Sequence, residues 1–216
     1  MATTLEQPTT GGNFDSSDDE GEIDLSPFKI AWLDLGCEVC DEKLAISALP
    51  GCRFKNTWRS VKHDLKCIRD EGIKEVFCLC SKGELHKYRV TGLLQEFAEA
   101  DINVHHYPFP DGMTPSFPNL MKMLDELRAN LLNGNKCLVH CYGGLGRSCL
   151  VAACLIMLID EKISPEDVIK KVRDLQGHSA VQSVKQFNFI NDFRDMLEDF
   201  KKDKSDENGE TRSVSR

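Results

Sequence analysis

The stretch Lys136–Ile159, KCLVHCYGGLGRSCLVAACLIMLI, joins two apolar segments through a glycine-rich loop. Its first five residues form a short apolar run that is typical of a buried strand. From Ser148 onward the sequence is apolar nearly all round, which is typical of a helix packed inside a domain. Glycines at 143, 144 and 146 allow the backbone of the connecting loop to adopt conformations that other residues rarely adopt. The stretch predicts a strand, a tight loop and a buried helix.

The same alternation of strands and helices extends along the chain. It indicates an α/β fold, with a central, mostly parallel sheet flanked by helices. In such sheets ligands bind at the carboxyl ends of the strands, where the loop 141–146 is expected. Predicted strands lie within FKIAWL (28–33), LAISALP (44–50), KEVFCLC (74–80), INVHHYPF (102–109) and KCLVH (136–140). Predicted helices cover 57–72, 92–100, 117–134 and 148–161, one starting at Ser164–Pro165, and 184–200.

Charge and composition divide the chain into three parts. Residues 1–27 carry seven acidic side chains and no Lys or Arg, whereas the remainder holds 28 acidic and 27 basic residues. The first segment is rich in Gly, Ser and Thr and cannot bury enough apolar surface to order itself. We therefore predict a disordered acidic leader over 1–27, a single folded domain over 28–200 and a disordered polar tail over 201–216. Ser26 precedes Pro27 in this leader, a pattern that proline-directed kinases modify.

The sequence shows neither a span of about 20 apolar residues nor an export signal. We expect a soluble, intracellular protein without nucleic-acid binding, whose ten cysteines are reduced and mostly buried. The CxxC at 37–40 and the CxC at 78–80 lack the second pair that zinc requires. Adjacent histidines at 105 and 106 point to opposite faces of a strand and cannot share an ion. No metal or cofactor is expected.

The loop itself indicates phosphate chemistry. Inward backbone N–H groups and the amino end of the following helix form an anion site, and the Arg147 fork can bind two phosphate oxygens. These surroundings favour thiolate over thiol at Cys141. A thiolate beneath a bound phosphate can attack phosphorus and form a phosphocysteine, which water then hydrolyses. The pattern C-x₅-R-S after a strand therefore predicts a phosphatase, although some sulfur transferases and arsenate reductases use a similar loop.

The motif HCYGGLGRS resembles the signature of the cysteine-based protein tyrosine phosphatase superfamily, in its dual-specificity branch. Within that branch the chain is similar to the phosphatases that associate with cyclin-dependent kinases. The similarity covers roughly 28–200 and the acidic FDSSDDE of the leader. Besides the signature it rests on GELHKYRV (83–90), DGMTP (111–115), RDLQG (173–177) and QSVKQFNF (182–189).

This resemblance implies both an activity and a partner. It implies hydrolysis of phosphothreonine, phosphoserine and phosphotyrosine, with a phosphorylated cyclin-dependent kinase as the partner and its activation-segment threonine as the target. The enzyme would oppose cell-cycle progression in the cytoplasm, near the nucleus or in it, as a monomer. Two alternatives remain open, a phosphoinositide or RNA 5′-phosphatase and a mainly non-catalytic kinase-binding inhibitor. The uncharged loop argues against substrates that carry several phosphates.

The resemblance also assigns roles to particular residues. It makes Asp111 the general acid, gives Ser148 a hydrogen bond to the cysteine sulfur, and assigns Gln182 to position the hydrolytic water. Asp101 and Asp125 are weaker candidates for the acid, because they lie at a strand entry and inside a helix. His140 is expected to order the loop through hydrogen bonds. Aromatic residues of the last helix, at 187, 189 and 193, would either pack in the core or contribute to kinase docking. The residues expected around the phosphate are Tyr142, Gly143, Gly144, Leu145, Gly146 and Arg147.

Overall fold

The computed structural model describes the backbone of residues 22–36 and 43–213 and the side chains of those residues up to 205. A five-stranded sheet forms its centre, with the strand order β1-β2-β7-β5-β6. β1 runs antiparallel to β2, whereas β2 with β7, β7 with β5 and β5 with β6 are parallel. The predicted mostly parallel α/β fold is therefore confirmed. The strands are β1 (Ile30–Leu33), β2 (Leu44–Ser47), β5 (Ile73–Cys78), β6 (Asn103–His106) and β7 (Lys136–His140).

Helices cover both faces of this sheet because successive strand residues point to opposite sides. Leu44 and Ile46 of β2 face one apolar cluster, whereas Ala45 between them faces the other. α1 to α3 contribute to the second cluster, and α4 to α7 contribute to the first. The helices are α1 (Val61–Asp70), α2 (Lys82–Lys87), α3 (Leu93–Glu99), α4 (Phe117–Leu132), α5 (Arg147–Ile159), α6 (Pro165–Gln176) and α7 (Val184–Ser213).

Three short elements differ from the sequence prediction. The segment 57–72, expected to be one helix, begins as β4 (Thr57–Trp58), which pairs with β3 (Arg53–Phe54), and α1 starts only at Val61. Ser60 is the N-cap of that helix, and its hydroxyl accepts from the His63 amide. Two-residue strands carry too little periodicity to be read from sequence. Helix α2 was not predicted either, although its Ser81-x-x-Glu84 capping box is a recognisable start signal.

Ordered contacts are present near both predicted boundaries of the folded unit. Most of the leader lies outside the described residues, but Asp24 at its end already pairs with Arg59 at 2.9 Å, so ordered contacts begin before residue 28. At the other end, α7 continues past Phe200 to Ser213, over a stretch for which we predicted a disordered tail. Local contacts support this extension, including the Lys202–Asp199 ion pair at 3.2 Å.

In the parts of the chain that the structure covers, no helix has both the length and the apolar character needed to cross a membrane.

Candidate active site

The glycine-rich loop follows β7, in the middle of the sheet, and leads directly into α5. Gly144 has a φ of +68°, and a Cβ at this position would lie 2.8 Å from the backbone carbonyl carbon of Ser47. Gly146 has a φ of +49°, and a Cβ there would lie 2.4 Å from Oε1 of Gln182. Gly144 requires glycine for conformation and for space, because a side chain would displace the backbone at the end of β2. Gly146 requires glycine for its conformation, since the atom that a Cβ would meet is the flexible end of the Gln182 side chain.

Backbone hydrogen bonds hold this loop from three directions. The Leu49 amide donates to the Tyr142 carbonyl at 3.0 Å, and the Leu79 amide donates to the His140 carbonyl at 3.0 Å. The Gly146 amide donates to Ala180 at 3.0 Å, so Gly146 contributes its conformation and not its N–H group to the anion site. Across the described ranges, the amides of 142–145 have no acceptor of their own and remain available to a phosphate.

Cys141 opens the loop at the carboxyl end of β7 and is only 2% exposed. Its Sγ lies 2.9 Å from the Leu145 carbonyl oxygen, to which the thiol donates, and 3.3 Å from Oγ of Ser148. Ser148 is the second residue of α5, so the start of this helix brings a hydroxyl to the sulfur. The predicted contact between these two side chains is therefore present.

Arg147 is the largest fully buried side chain among the residues that the structure describes. Its Nη1 donates to the carbonyls of Leu79 at 3.1 Å and Phe109 at 2.9 Å. Its Nε lies 3.3 Å from Oδ1 of Asp111 without a well-directed hydrogen bond. The guanidinium is thus fixed by its Nη1 edge while the Nε edge faces the acid loop.

Glu84 holds the guanidinium from the other side, a contact that the sequence analysis missed. Its two carboxylate oxygens accept from Arg147 Nη1 at 3.0 Å and Nη2 at 2.6 Å. Partial burial acts to raise the pKa of Glu84, but hydrogen bonds from Arg147 and from the Ser81 amide outweigh it and leave the pKa below its usual value. The carboxylate therefore stays ionised and compensates a buried cation. The S-x-x-E pattern predicts a helix start there, although nothing in it indicates Arg147 as a partner.

The predicted general acid lies at the rim of the site. Asp111 occupies the loop between β6 and α4, and its side chain is 58% exposed apart from its approach to Arg147. The alternative carboxylates are placed differently. Asp101 precedes β6 at the amino ends of the strands and pairs with Lys74, and Asp125 is exposed on α4. Asp111 is therefore the candidate among these three that the fold brings to the loop.

The start of α7 connects the acid loop with the cysteine loop. Ser183 Oγ donates to the Gly112 carbonyl at 2.8 Å, and buried Gln186 donates through Nε2 to the Met113 carbonyl at 3.4 Å. Gln186 also accepts from the Gln182 amide at 3.1 Å. The side-chain amide of Gln182 lies next to Gly146 of the cysteine loop. The position of the acid loop thus depends on the residues that begin α7.

His140 differs from its expected role. The ring is fully buried, and neither ring nitrogen has a directed hydrogen bond among the described residues. It packs against Phe97 with ring centroids 6.0 Å apart. Only the backbone carbonyl, through Leu79, helps to order the site. Packing in the core replaces the loop hydrogen bonds that we predicted.

The described residues contain no cluster of three or more His, Cys, Asp or Glu side chains that could hold a metal ion. The CxxC at 37–40 lies outside those residues. His105 instead contacts carboxylates of Glu75 at 2.9 Å and Glu126 at 3.1 Å, and His106 contacts the Cys80 carbonyl at 2.8 Å.

Comparison with known proteins relates this geometry to a family. The family model described as cyclin-dependent kinase inhibitor 3 (CDKN3) matches residues 6–169, which is most of the chain and includes both Asp111 and the cysteine loop. The chain belongs to the cyclin-dependent kinase inhibitor 3 family. Human cyclin-dependent kinase inhibitor 3 is 45% identical over 204 residues, covering 94% of this chain and 95% of the relative, and the rat protein is 44% identical over the same length.

Solved structures extend the comparison to the fold. A crystal structure of kinase associated phosphatase, whose catalytic cysteine is substituted by serine, matches with 44% identity and a TM-score of 0.77. The match covers 81% of this chain and 98% of that one. Tk-PTP in its active form matches with 26% identity and a TM-score of 0.58, over 71% of this chain and 92% of that one. The predicted dual-specificity phosphatase fold and enzyme class, a cysteine-dependent protein phosphatase, are confirmed for this cyclin-dependent kinase inhibitor 3 family member.

Proposed function

We propose that the chain hydrolyses phosphothreonine, phosphoserine and phosphotyrosine on a protein substrate, with Cys141 as nucleophile, Arg147 as phosphate ligand and Asp111 as general acid. One observation carries the proposal. A buried thiol at the end of a central strand lies at the start of a helix whose first residue, Arg147, approaches a loop carboxylate at 3.3 Å. Nucleophile, anion ligand and proton donor therefore meet at one edge of the sheet, although they come from separate parts of the chain.

The first chemical step transfers the phosphoryl group to sulfur. The Cys141 thiolate attacks phosphorus in line with the ester oxygen, the P–S bond forms and the P–O ester bond breaks. The leaving oxygen takes a proton from Asp111, and the amides of 142–145 with Arg147 stabilise the equatorial oxygens. Asp111 now lies near Nε of Arg147, where a phosphate oxygen would bind, so substrate entry moves this carboxyl toward the leaving oxygen.

The second step releases phosphate. Gln182 orients a water molecule whose oxygen attacks phosphorus and forms a new P–O bond, and the Asp111 carboxylate accepts a proton from that water. The P–S bond breaks and returns the electron pair to sulfur. Ser148, 3.3 Å from Sγ, donates a hydrogen bond that stabilises the departing thiolate. The site is then restored without a metal or an organic cofactor.

The surroundings of the site favour a protein substrate. Met113, Val184 and Phe187 expose apolar side chains where the acid loop meets α7, and Lys185 links the two elements through a 3.5 Å contact with Met113. Phe193 is fully buried and Phe189 packs against Phe117, so of the three aromatics only Phe187 is free to contact a partner.

The names of the relatives support a particular partner. We infer that the substrate is a cyclin-dependent kinase phosphorylated on its activation-segment threonine, met in the cytoplasm or the nucleus, and that the enzyme acts as a monomer. The exposed apolar surface of Met113, Val184 and Phe187 lies beside an uncharged catalytic loop. This combination fits a folded phosphoprotein better than an inositol phosphate, whose additional phosphates would need cations.

Phosphate release from such a kinase tests the proposal. The wild-type chain is compared with Cys141→Ser, and an aryl phosphate is supplied in parallel. We expect release from both substrates and none with the variant, which should still bind the phosphorylated kinase. Turnover of the aryl phosphate alone would reopen the substrate question in favour of lipid or RNA phosphates. Kinase binding without turnover of either substrate would favour the non-catalytic inhibitor.

A further inference from the structure

The segment before β1 presents a serine whose surroundings the phosphatase mechanism does not use. Ser26 directly precedes Pro27. Its side chain is exposed, as are the other side chains of residues 22–27. Phe28 is buried, and its ring lies 5.4 Å from the Arg59 guanidinium. The Ser-Pro pair is therefore accessible to a kinase while the residue after it fixes the segment on the domain.

Arg59 already binds this segment through its outer edge. Nη1 donates to Oδ2 of Asp24 at 2.9 Å and to Oγ of Ser26 at 3.3 Å, and Nη2 donates to the Ser26 carbonyl at 2.7 Å. The Asp24 amide also donates to the Trp58 carbonyl at 2.7 Å, next to Arg59 in the chain. A guanidinium thus lies within hydrogen-bond distance of the hydroxyl that a kinase would modify.

The inner edge of Arg59 fixes the guanidinium in place. Its Nε and Nη2 donate to the fully buried carboxylate of Asp64 at 3.0 and 2.8 Å, and Asp64 also accepts from the Gly51 amide at 2.9 Å. Hydrogen bonding to Asp64 raises the pKa of Arg59, which therefore stays protonated. The outer N–H groups keep their positions even if Asp24 departs, because the contacts with Asp64 do not depend on it.

We propose that Ser26 is a phosphorylation site for a proline-directed protein kinase, and that Arg59 binds the resulting phosphate in exchange for Asp24. The kinase transfers the terminal phosphoryl group of ATP to Oγ, ADP leaves, and the hydroxyl proton passes to the kinase. A phosphoserine carries about −1.5 to −2 charges near pH 7 and binds arginine more strongly than a carboxylate does. The Asp24 side chain is 53% exposed, so loss of its ion pair with Arg59 has a small energetic effect. Its Oδ1 also accepts from the Ser26 amide at 2.8 Å, and this hydrogen bond does not involve Arg59.

The phosphate would lie beside the catalytic loop. Ser26, Lys29 and Arg59 line a groove of about 420 Å³ whose lining also includes the loop residues 143–145. Lys29 adds a second positive charge to the lining of this groove. A dianion in this groove repels the phosphate of an incoming substrate but leaves the reacting groups in place. We expect phosphorylation to raise KM and to leave kcat nearly unchanged, a consequence that rests on the proposed function.

The site is tested on full-length Cys141→Ser protein, which cannot remove its own phosphate. Incubation with ATP and a proline-directed kinase should add one phosphate, located at Ser26 by mass spectrometry and missing from the Ser26→Ala form. A pH titration by phosphorus NMR should then show the second phosphate pKa lowered by about 0.5 unit or more relative to the same protein in urea. Arg59→Gln should remove this shift.

Two results would overturn the assignment. One is a Ser26 that stays unmodified under conditions where the kinase phosphorylates a reference Ser-Pro peptide. The other is a phosphate whose pKa is the same in folded and urea-unfolded protein, a comparison that stays valid even if Arg59→Gln does not fold.

The kinetic consequence is measured in the active enzyme with Ser26→Glu and its neutral counterpart Ser26→Gln. With a phosphothreonine protein as substrate, we expect KM about two- to fivefold higher for Glu than for Gln at equal kcat, and a smaller difference at high salt. Equal KM values would contradict regulation through this groove. Loss of turnover in the wild type as well would instead contradict the proposed phosphatase function.

Discussion

Replacing Glu84 by Gln tests whether the ion pair behind the catalytic loop positions Arg147. Glutamine keeps the size of the side chain but offers one acceptor where the guanidinium now meets two, and its NH₂ group faces an Arg N–H donor. One charge-assisted hydrogen bond is lost, and a fully buried cation loses the one carboxylate that forms directed hydrogen bonds with it among the described residues. Breaking a buried pair costs about 3–5 kcal/mol.

The structure reduces the expected loss of stability to about 2–3 kcal/mol. The Glu84 side chain is 17% exposed, so water can take up part of the lost interaction. Arg147 also keeps its hydrogen bonds to the carbonyls of Leu79 and Phe109. These two carbonyls retain the guanidinium in the site without fixing its plane. A displacement of about 1 Å is enough to lower the rate about 100-fold.

We therefore expect Glu84→Gln to lower kcat/KM about 30- to 100-fold on both phosphothreonine and aryl phosphate. Both substrates should respond because both need the phosphate ligand. Urea unfolding and steady-state kinetics measure the two effects. Glu99→Gln is the matched control, since Glu99 is exposed and accepts only from Gln95 of its own helix. Activity of Glu84→Gln within twofold of wild type would refute the positioning role.

The same pair predicts a pH dependence of stability. The pKa of Glu84 is lower in the folded protein than its ordinary value of about 4.3. Its contribution is therefore complete above that ordinary value and is lost as the pH falls through the lowered pKa of the folded state. The difference in unfolding free energy between wild type and Glu84→Gln should be constant from about pH 6 to 7 and shrink below about pH 4. A difference that grows on acidification would contradict this sign.

Three further perturbations address the rest of the site. Asp111→Asn should lower kcat about 100-fold or more on phosphothreonine but less than about 10-fold on an activated aryl phosphate, because only the poor leaving group needs a proton; equal losses would place the acid elsewhere. Gly144→Ala should cost about 2–4 kcal/mol in urea unfolding, against about 1 kcal/mol for Gly134→Ala, which has the same sign of φ but no contact within 4 Å. Burial raises the pKa of Cys149 to about 12, so peroxide-inactivated enzyme should regain activity with a thiol reductant, and peptide mapping should show no disulfide from Cys141 to Cys149.

Motifs whose physical requirements are local could be read from the sequence. Cys141, Arg147 and Ser148 occupy one strand–loop–helix unit, so their separation along the chain fixes their separation in space. The role of Asp111 could be assigned only through family resemblance, because its distance from the cysteine loop depends on the path of the chain between β6 and α4. Glu84 was missed for the same reason. Its capping pattern predicts a local helix start, but its contact with Arg147 spans 63 residues.

The sequence by itself determined the α/β class, the succession of the main strands along the chain and the chemistry of the loop, since these follow from periodicity and from short-range spacing. Tertiary structure decided which groups surround that loop. Arg147 receives its carboxylate from α2, its neighbouring acid from the loop before α4, and its carbonyl acceptors from Leu79 and Phe109. The same holds for Ser26, whose Ser-Pro motif is visible in the sequence while its guanidinium partner lies 33 residues away at Arg59. Such pairs form because packing of the sheet and helices brings distant segments together. The distance in space between two such partners therefore cannot be predicted from a local pattern of residues.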